Sequence, residues 1–536
     1  MGRTPLLRSL RRLARDVRAS RHTGIPVDEI VDLRAERRLS RRGLIAGAAA
    51  GAAALALPMR ARAAGQQARV VIVGGGIAGT TCALTLRDHG FASTVYEASG
   101  RIGGRMFSNN GGYWAANQVS EWCGELIDTG HETIRKLAAR YGLPLDDLHA
   151  AEPKRSDEVY KFAGQYYPKA QATADFLAMF DALAADVDAA PFPTQFDSFT
   201  AEGFALDHMS VFDWIESRVP GGHAAPLGQL LDVAYNIEYG AESRVQSALN
   251  LVYLLGFQPT TTQLDIFGES DERFHIRGGN QRLPLAIADD LGDDAVVTGH
   301  RLVRLAQTPH GRYTCTFDRG ARSVEVTADF VVLALPFAVL ADVDTSRAGF
   351  DDLKTTAIAE LGRGHNGKLH LQFAERGWLG TGPWPGKSNG STYSDTGYQA
   401  SWEVTRAQPG APGILVEYSG GAVTDGMRTA SPFVTASDPG VRADAARGLG
   451  QLAPVYPGLS WNGKAAQSLP HKSPFFNASY SYWRVGQYTL FSGYEGVPLG
   501  GVYFCGEHTS SDFQGFMEGG ASTGKQTAKD LVALLK

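Results

Sequence analysis

The sequence predicts an α/β fold that contains a Rossmann-like dinucleotide-binding domain. The apolar run Val70–Val73 is typical of a buried strand, and the helical stretch Thr80–Leu86 follows it. Between them, residues 74–79 read Gly-Gly-Gly-Ile-Ala-Gly, which contains the spacing G-x-G-x-x-G. Glu97 ends a second short strand, about 20 residues after the turn, where the fingerprint requires an acid. A strand, a glycine turn, a helix and an acid in this order indicate a dinucleotide site.

Each glycine of the turn has its own physical role. Gly74 makes the tight turn, Gly76 lets a pyrophosphate approach the backbone, and Gly79 lets the helix pack closely on the strand. The helix N-terminus offers free N–H groups and the positive end of its dipole to the phosphates. Glu97 is expected to accept a hydrogen bond from a ribose hydroxyl.

Length and charge limit the class of protein. A chain of 536 residues is long enough for two domains after a leader. Its net charge of −5 gives no reason to expect nucleic-acid binding. The sequence leaves the oligomeric state open, and a homodimer is compatible with it.

The N-terminal region has the pattern of an export signal. Residues 1–42 are rich in arginine, contain no lysine and end in the pair Arg41-Arg42. A run of Ala, Gly and Leu follows, and then Ala61-Arg62-Ala63. This order predicts a twin-arginine-type signal region over residues 1–63, with export from the cytoplasm to the periplasm or the exterior. The apolar run is shorter than the ~20 residues of a bilayer span, so no integral membrane span is expected.

Metal ligands are not grouped in the sequence. The four cysteines lie far apart, no Cys-x-x-Cys pair occurs, and no His-Glu-x-x-His occurs. We therefore expect no metal site. Cys82 and Cys505 stand in apolar or glycine-rich surroundings, which favours buried thiols over a disulfide.

The middle of the chain predicts a second domain inserted into the first. Residues 151–270 read mainly as helices, such as Val211–Arg218 and Leu230–Leu255, and carry no nucleotide motif. Farther on, Lys368–Phe373 and Gly413–Tyr418 alternate like strands of a sheet. The predicted ranges are 66–150, 271–336 and 480–536 for a discontinuous dinucleotide-binding domain, and 151–270 and 337–479 for an intertwined α+β substrate domain.

Three further segments identify a family. The segment Arg101-Ile102-Gly103-Gly104-Arg105, which follows Glu97, resembles the second flavin-binding signature of the flavoproteins with two dinucleotide-binding domains. Asp329–Pro336 and the pair of segments Gly506–Thr509 and Met517–Gly520 resemble two more of their motifs. From about residue 68 to its C-terminus the chain is similar to the flavin amine oxidases, which include monoamine oxidases, polyamine oxidases and L-amino-acid oxidases.

The resemblance implies a bound FAD and names residues that would hold it. Arg105 would neutralise the pyrophosphate, Val303 would offer backbone groups to the adenine, and Glu507 would bind the ribityl chain or the pyrophosphate. The cofactor-binding residues expected from the turn and the resemblance are Gly74, Gly76, Ala78, Gly79, Glu97, Ala98, Gly104, Arg105, Gly124, Glu125, Val303, Gly506, Glu507 and Glu518.

The resemblance also implies three residues that act on flavin and substrate. Lys368 matches the family lysine that holds a water at flavin N5, and burial would tend to neutralise it. Tyr488 and Phe516 match the two aromatic walls around the substrate amine. Gln487 stands where the covalent-flavin monoamine oxidases carry cysteine, so the FAD is expected to be non-covalent.

The implied reaction is the oxidation of an amine by oxygen. The α-carbon gives a hydride equivalent to the flavin, the imine hydrolyses to an aldehyde and ammonia, and oxygen becomes hydrogen peroxide. An L-amino-acid oxidase is the first alternative. Leu126 falls where those enzymes place the arginine that clamps the substrate carboxylate, and leucine offers no such donor, although Arg484 could replace it.

Two more alternatives and the choice of amine stay open. An isoprenoid or polyene desaturase shares the fold but lacks the lysine, so Lys368 argues against it. A non-catalytic flavoprotein would release no peroxide when amines are added. The acids Glu121, Glu125 and Asp128 are candidates either for recognising a second ammonium group, as in a diamine or polyamine, or for a structural role.

Overall fold

The protein is described by a computed structural model, which covers residues 68–260, 262–320 and 322–536. The signal region predicted over residues 1–63 lies outside the described residues. No helix within the described ranges combines the length and the apolar character that crossing a bilayer requires.

The strands and helices of the described residues are given in chain order. The strands are β1 Val70–Val73, β2 Ser93–Tyr96, β3 Ser108–Asn109, β4 Ser120–Glu121, β5 Leu145–Asp147, β6 Asp157–Phe162, β7 Gln165–Tyr167, β8 Phe274–Ile276, β9 Val296–Val297, β10 Arg301–Gln307, β11 Tyr313–Arg319, β12 Arg322–Ala328, β13 Phe330–Leu333, β14 Asp344–Arg347, β15 Gly362–Arg363, β16 Asn366–Phe373, β17 Gly380–Thr381, β18 Lys387–Ser394, β19 Ala400–Glu403, β20 Gly413–Gly420, β21 Phe433–Thr435, β22 Trp461–Ser468, β23 Ser481–Tyr482 and β24 Val502–Phe504. The α-helices are α1 Ile77–Asp88, α2 Glu132–Arg140, α3 Lys169–Ala189, α4 Ala201–Asp207, α5 Val211–Arg218, α6 Pro226–Tyr239, α7 Ala248–Leu255, α8 Arg282–Leu291, α9 Phe337–Leu340, α10 Asp352–Glu360, α11 Gly421–Asp425, α12 Pro439–Leu452, α13 Gln487–Phe491 and α14 Met517–Leu535.

A parallel five-stranded sheet forms the first layer. Its order is β9-β2-β1-β13-β24, and each neighbouring pair is parallel. Numbered along the chain, these strands have the spatial order 3-2-1-4-5 of a Rossmann fold. All four residues of β1 are buried, as expected for a strand covered on both faces. The predicted α/β fold with a Rossmann-like domain is confirmed.

The C-terminal helix packs against the first helix of this layer. Helix α14 packs on α1, and a Cβ atom on Gly524 would lie 2.1 Å from the carbonyl oxygen of Ala78. Apolar residues of both helices, with Cys82 and Cys505, form one buried cluster. Both cysteines are buried free thiols, as the sequence predicts.

A mixed nine-stranded sheet forms the second layer. Its main path is β21-β22-β16-β20-β19-β18-β6-β7, and β17 pairs with β18. Strand β16 lies between β20 and β22, antiparallel to both, and all eight of its residues are buried.

The inserted block is mainly helical, as predicted, and differs from the prediction in two details. Residues 151–270 also contain β6 and β7, which join the edge of the nine-stranded sheet, where β6 runs parallel to β18. The expected helical stretch Leu230–Leu255 is two helices, α6 and α7. Helix α6 ends at Gly240, which has a φ of 65°, a left-handed conformation that terminates a helix.

Candidate active site

A cavity of about 690 Å³ joins the two sheets. At one end its wall contains Gly74, which follows β1, and Glu97, which follows β2. At the other end it contains Lys368 from β16 and Tyr418 from β20. Ligands of open parallel sheets bind in such clefts beyond the carboxyl ends of the strands.

Most residues that the sequence predicts for the site lie on this cavity. The lining includes Gly74, Gly76, Ala78, Glu97, Ala98, Gly104, Arg105, Gly124, Glu125, Leu126, Lys368, Gly506, Glu507 and Phe516. Four predicted residues do not line it, namely Gly79, Val303, Tyr488 and Glu518.

The glycine turn has the geometry of a phosphate cradle. A Cβ atom on Gly74 would lie 2.6 Å from the carbonyl oxygen of Ala334, and one on Gly79 would lie 2.0 Å from that of Gly74. Both are therefore packing positions. A Cβ atom on Gly76 would meet nothing closer than Gly104 Cα at 3.8 Å, and Gly76 caps the N-terminus of α1. The backbone at Gly76 thus faces open space, where a pyrophosphate would receive the helix N–H groups.

Glu97 is fixed by the backbone and keeps acceptor capacity. Its Oε2 accepts a hydrogen bond of 2.7 Å from the Gly75 amide. Its Oε1 accepts bonds from the Ser99 amide at 2.8 Å and the Ser99 hydroxyl at 2.7 Å. A carboxylate has about four acceptor sites, so one on Oε2 is left to receive a ribose hydroxyl.

Arg105 and Glu507 form an ion pair on the cavity wall. Arg105 Nη1 lies 2.9 Å from Glu507 Oε1 and also donates to the Ser479 carbonyl. Glu507 accepts three further bonds, from the amide and hydroxyl of Ser481 and from the Gly515 amide. Its acceptor sites are filled, so Glu507 positions Arg105 and the last glycine turn rather than binding a ribityl chain itself.

Two residues predicted to bind the cofactor, Glu518 and Val303, do not line the cavity. Glu518 accepts bonds from the Thr133 and Ile134 amides at 2.9 and 2.8 Å, which caps the N-terminus of α2. Its prediction as a cofactor contact is therefore corrected to a structural role. Val303 stands where the pairing of β10 with β11 shifts register, so it has no partner in that ladder, and its neighbours Arg301 and Leu302 line the cavity.

Lys368 is held in a buried ion pair. Its Nζ lies 2.6 Å from Glu125 Oε2 and donates to the Cys123 carbonyl at 2.8 Å, with a long contact of 3.5 Å to the Glu121 carbonyl. Burial alone raises the pKa of the Glu125 carboxyl, but Lys368 and His370 outweigh it and hold that pKa below its usual value. The buried carboxylate gives the Lys368 side chain an ion-pair partner that was not expected from the sequence.

Aromatic side chains line the cavity next to this pair. Phe516 lines it, as predicted, and Tyr480 and Tyr418 line it with their hydroxyl oxygens 2.9 Å apart. A Cβ atom on Gly515 would lie 3.8 Å from the Tyr480 ring, so the ring stands beside the residue that precedes Phe516. Trp402 meets Tyr418 edge to face at 5.1 Å.

Tyr488 is not a wall of the cavity. Its hydroxyl donates to Asn250 Oδ1 at 3.1 Å, and its ring packs against Trp483 and Tyr253 in the core. Gln487 is likewise engaged elsewhere, since its amide donates to the Glu360 carbonyl. The sequence offers a second tyrosine in a similar polar context eight residues earlier, and that residue, Tyr480, occupies the wall that was expected from Tyr488.

Two acidic residues that the sequence analysis missed, Glu238 and Glu272, also line the cavity. Neither makes a side-chain hydrogen bond or a salt bridge to any described residue. Burial, Asp128 and Glu125 raise the pKa of Glu272 to about 8. Burial and the nearby Glu272 raise the pKa of Glu238 well above its usual value. Glu238 also lies in the last turn of α6, where the helix dipole disfavours a negative charge.

The other candidate acids, Glu121 and Asp128, and the arginine considered as a replacement at Leu126, Arg484, contact other residues. Glu121 is fully buried and accepts bonds from Ser108, His275 and the Asn280 amide. Asp128 accepts bonds from the Glu272 amide and the Ser270 hydroxyl. Arg484 does not line the cavity, and it lies 3.6 Å from Glu360. No signal in the sequence marked Glu238 and Glu272, because only the fold brings a helix end and a loop together.

Comparisons with known proteins identify the family and the fold. The family model described as flavin containing amine oxidoreductase matches residues 77–532. Polyamine oxidase 1 of Zea mays is 24% identical over 486 residues, which cover 87% of this chain and 90% of that protein. An L-amino-acid oxidase of Sistrurus catenatus edwardsii is 23% identical over 497 residues, 86% of each chain. The structure of cyclohexylamine oxidase from Brevibacterium oxydans IH-35A superposes with a TM-score of 0.72 at 21% identity, covering 88% of this chain and all of that one.

Proposed function

The chain belongs to the family of flavin-containing amine oxidoreductases, and from this premise we propose that it oxidises an amine to an aldehyde, with FAD as cofactor and oxygen as acceptor. The balanced reaction converts a primary amine, oxygen and water into an aldehyde, ammonia and hydrogen peroxide. The observation that carries the proposal is one continuous cavity whose lining includes the glycine turn, Lys368, the aromatic walls, Glu238 and Glu272.

The residues of the nucleotide end fit an FAD. The open backbone at Gly76 would receive the pyrophosphate, Glu97 the adenosine ribose, and the unpaired segment at Val303 the adenine. Arg105 would bring its remaining donors to the phosphates. This set of groups is what a dinucleotide needs, namely free N–H donors, one acceptor for a hydroxyl and one cation.

We propose that the FAD is held without a covalent bond. In the monoamine oxidases with covalent flavin, the cysteine that is bonded to the flavin directly precedes the first aromatic wall of the substrate site. With Tyr480 as that wall, the preceding residue is Ser479, whose hydroxyl donates to Asn366 Oδ1 at 2.6 Å. A serine cannot form a thioether. Cys123 does line the cavity, and burial raises the pKa of its thiol to about 11, which keeps it an unreactive thiol.

A bound flavin would supply the redox chemistry. It would take a hydride equivalent from the amine and pass the two electrons to oxygen. The protein orients the amine between Tyr480 and Phe516, so that its α-carbon approaches the cofactor in one pose. Lys368 keeps one weakly used N–H, at 3.5 Å from the Glu121 carbonyl, with which it can hold a water. Its positive charge favours the reduction of oxygen nearby.

The acidic end of the cavity favours an amine over an amino acid. Glu238 and Glu272 lie in the same cavity as Leu126, and a substrate carboxylate there would face carboxyl groups without a bidentate donor. A cation has the opposite preference. The ring faces of Tyr418, Tyr480 and Trp402 add cation–π attraction in the same cavity.

We therefore propose that the substrate carries a second positive charge, as a diamine or polyamine does. The distal ammonium would ionise Glu238 and Glu272, while the reacting amine stands between the aromatic walls. Glu272 adopts a φ of +43°, a conformation that costs a non-glycine residue about 1 kcal/mol or more and that is frequent at functional sites. This outlier is consistent with a side chain that is placed for binding.

A peroxide-coupled screen of the purified holoprotein tests the proposal. Matched sets of monoamines, diamines and L-amino acids of equal chain length are compared by kcat/KM. We expect diamines to be preferred, and Glu272→Gln or Glu238→Gln to reduce that preference at least about tenfold, as for a lost charged hydrogen bond. Glu375→Gln, at an exposed site away from the cavity, serves as the matched control. A preference for amino acids would favour the L-amino-acid oxidase alternative, and no peroxide with any amine would favour a non-catalytic flavoprotein.

A further inference from the structure

We propose that His365, Asp425 and His471 form a binding site for Zn²⁺ on the protein surface beside the cavity wall. Within the described ranges these three side chains form a group whose possible ligand atoms all lie within 4.8 Å of one another. The flavin reaction does not use them. No metal site was expected from the sequence, because potential ligands are not grouped along the chain. The three residues of this site lie far apart in sequence and meet only in the fold.

The distances suit a tetrahedral ion. His365 Nδ1 lies 2.9 Å from Asp425 Oδ1, and His471 Nε2 lies 3.9 Å from the same oxygen. The two imidazole rings have their centroids 4.5 Å apart. Ligands bound to zinc at about 2.1 Å in a tetrahedron lie about 3.4 Å from each other, a value between the two distances. The two rings are stacked at an interplanar angle of 16°, so the imidazoles must turn out of this stack for their nitrogens to face one ion together with Asp425.

The backbone holds two of the ligands in place. The His365 amide donates to the Gly240 carbonyl at 2.8 Å, and the Gly421 amide, at the start of the helix that ends in Asp425, donates to the His365 carbonyl at 3.0 Å. His471 lies in the 3-10 turn Pro470–Lys472. Three separate segments thus meet at the site, and an ion would join them.

The ligand set selects the kind of metal. Two imidazoles with one carboxylate suit Zn²⁺ and related transition metals, whereas Ca²⁺ and Mg²⁺ prefer oxygen ligands. The Asp425 side chain is 54% exposed, which leaves the fourth position to solvent water.

The position gives the ion a structural role. Asn366 and Pro470, which directly adjoin His365 and His471, both line the cavity. His365 also precedes β16, the strand that carries Lys368. A bound ion would tie the turn at Pro470 to the start of β16, so we expect it to stabilise this wall without entering the reaction.

Calorimetric titration of the untagged holoprotein tests the site. The protein is treated with EDTA, desalted and titrated with zinc chloride, since a histidine tag would itself bind zinc. We expect saturable binding of one ion per chain, and a melting temperature that rises with zinc concentration because the ion binds the folded state. His365→Ala should weaken the zinc affinity at least tenfold, and Asp425→Asn should also weaken it.

The controls separate this site from others and from the proposed function. His310→Ala, at an exposed histidine in a turn, should bind zinc as the wild type does. Substitution with Co²⁺ should give the visible absorption of a tetrahedral ion in the wild type and lose it in His365→Ala. Absence of saturable zinc binding, or unchanged affinity in His365→Ala, would overturn the site. Amine oxidation by the EDTA-treated protein is measured separately, and it reports only on the proposed function.

Discussion

Lys368 and Glu125 form a buried ion pair, with Nζ and Oε2 2.6 Å apart, on the wall of the cavity that joins the two sheets. The lysine reaches this position from a fully buried strand, and the glutamate reaches it from the loop after β4. A charge in such a place is stable only with its partner, and removing one member leaves the other uncompensated. The pair therefore links the reactivity of the site to its stability.

Replacing Lys368 by methionine should slow the reaction of the reduced protein with oxygen by more than about tenfold, or ~1.4 kcal/mol of barrier for each factor of ten. Anaerobic reduction by substrate should change less, because Tyr480 and Phe516 remain. Stopped-flow absorbance separates the two half-reactions. The positive charge of Lys368 near the reacting oxygen is the physical reason.

In Lys368→Met the buried Glu125 loses its ion-pair partner, which can itself destabilise the protein, so two controls accompany this variant. The double variant Lys368→Met with Glu125→Gln removes both charges and should recover stability while keeping slow reoxidation. Lys387→Met, at an exposed position of β18, should behave as the wild type. Equal reoxidation rates in Lys368→Met and the wild type would reduce Lys368 to a structural residue.

The two candidate tyrosines should give opposite results. Tyr480→Leu removes a ring from the cavity and should lower kcat/KM for amines about tenfold or more, and it should also lower the melting temperature because the hydroxyl bonds to Tyr418 and to the Ile237 carbonyl are lost. Tyr488→Phe removes the hydroxyl bonded to Asn250 and should cost about 1–3 kcal/mol of unfolding free energy, with kcat/KM preserved. Steady-state kinetics and chemical denaturation of both variants check this. If Tyr488→Phe impaired kcat/KM and Tyr480→Leu did not, the wall would be assigned wrongly.

The local part of the site could be predicted from the sequence, and the part that depends on packing could not. The glycine turn and Glu97 lie within one strand-turn-helix-strand unit, so spacing alone fixes their relation. Tyr480 and Tyr488 stand in the same short stretch, and only the fold decides which one faces the cavity. Glu238, at a helix end, and Glu272, in a loop, meet through tertiary structure and leave no pattern along the chain.

The same limit applies to the fold. Strand β1 matches the apolar run predicted over Val70–Val73, because a strand covered on both faces needs apolar residues throughout, and all four of its residues are buried. β6 forms a local hairpin with β7, but it joins the sheet only through β18, more than two hundred residues away, and this pairing leaves no pattern in the local sequence. The proposed zinc ligands escaped the motif search in the same way, since metal motifs detect only ligands that are close in sequence.

The attachment of the cofactor is tested by acid precipitation. We expect yellow FAD in the supernatant, because Ser479, which precedes Tyr480, offers no thiol for a thioether. Chromatography and mass spectrometry of the supernatant should identify FAD rather than FMN or NAD. Flavin that stays with the pellet would refute the non-covalent proposal, and Cys123→Ser would then show whether that thiol carries it.

Export is tested with the full-length chain. Changing Arg41 and Arg42 to lysine should leave active, flavin-loaded protein in the cytoplasm, because the twin-arginine route reads the arginine pair. Cell fractionation followed by the peroxide assay measures the outcome. Changing the pair Arg11-Arg12, farther from the apolar run, is the matched control and should not affect export. Unchanged export of the Arg41-Arg42 variant would exclude the twin-arginine route.

The preference for diamines should depend on pH. Glu272 has a pKa raised to about 8 by burial, Asp128, Glu125 and Glu158, so in the free protein it is protonated below that value and ionised above it. A distal ammonium binds the ionised form. The ratio of kcat/KM for a diamine to that for a monoamine of equal length should therefore rise as the pH increases through about 8, and the ratio cancels the titration of the reacting amine.

Two variants decide whether Glu272 is the titrating group. Glu272→Gln cannot ionise, so its ratio should be low and nearly independent of pH between about 6.5 and 9, on either side of the raised pKa. Glu375→Gln should keep the wild-type profile. The nearby Arg406 lowers the pKa of Glu272, so Arg406→Gln should move the rise to higher pH. A wild-type ratio that stays flat would mean that the acidic end of the cavity does not bind the second ammonium, and a Glu272→Gln ratio that still rises would assign the titration to another group, such as Glu238.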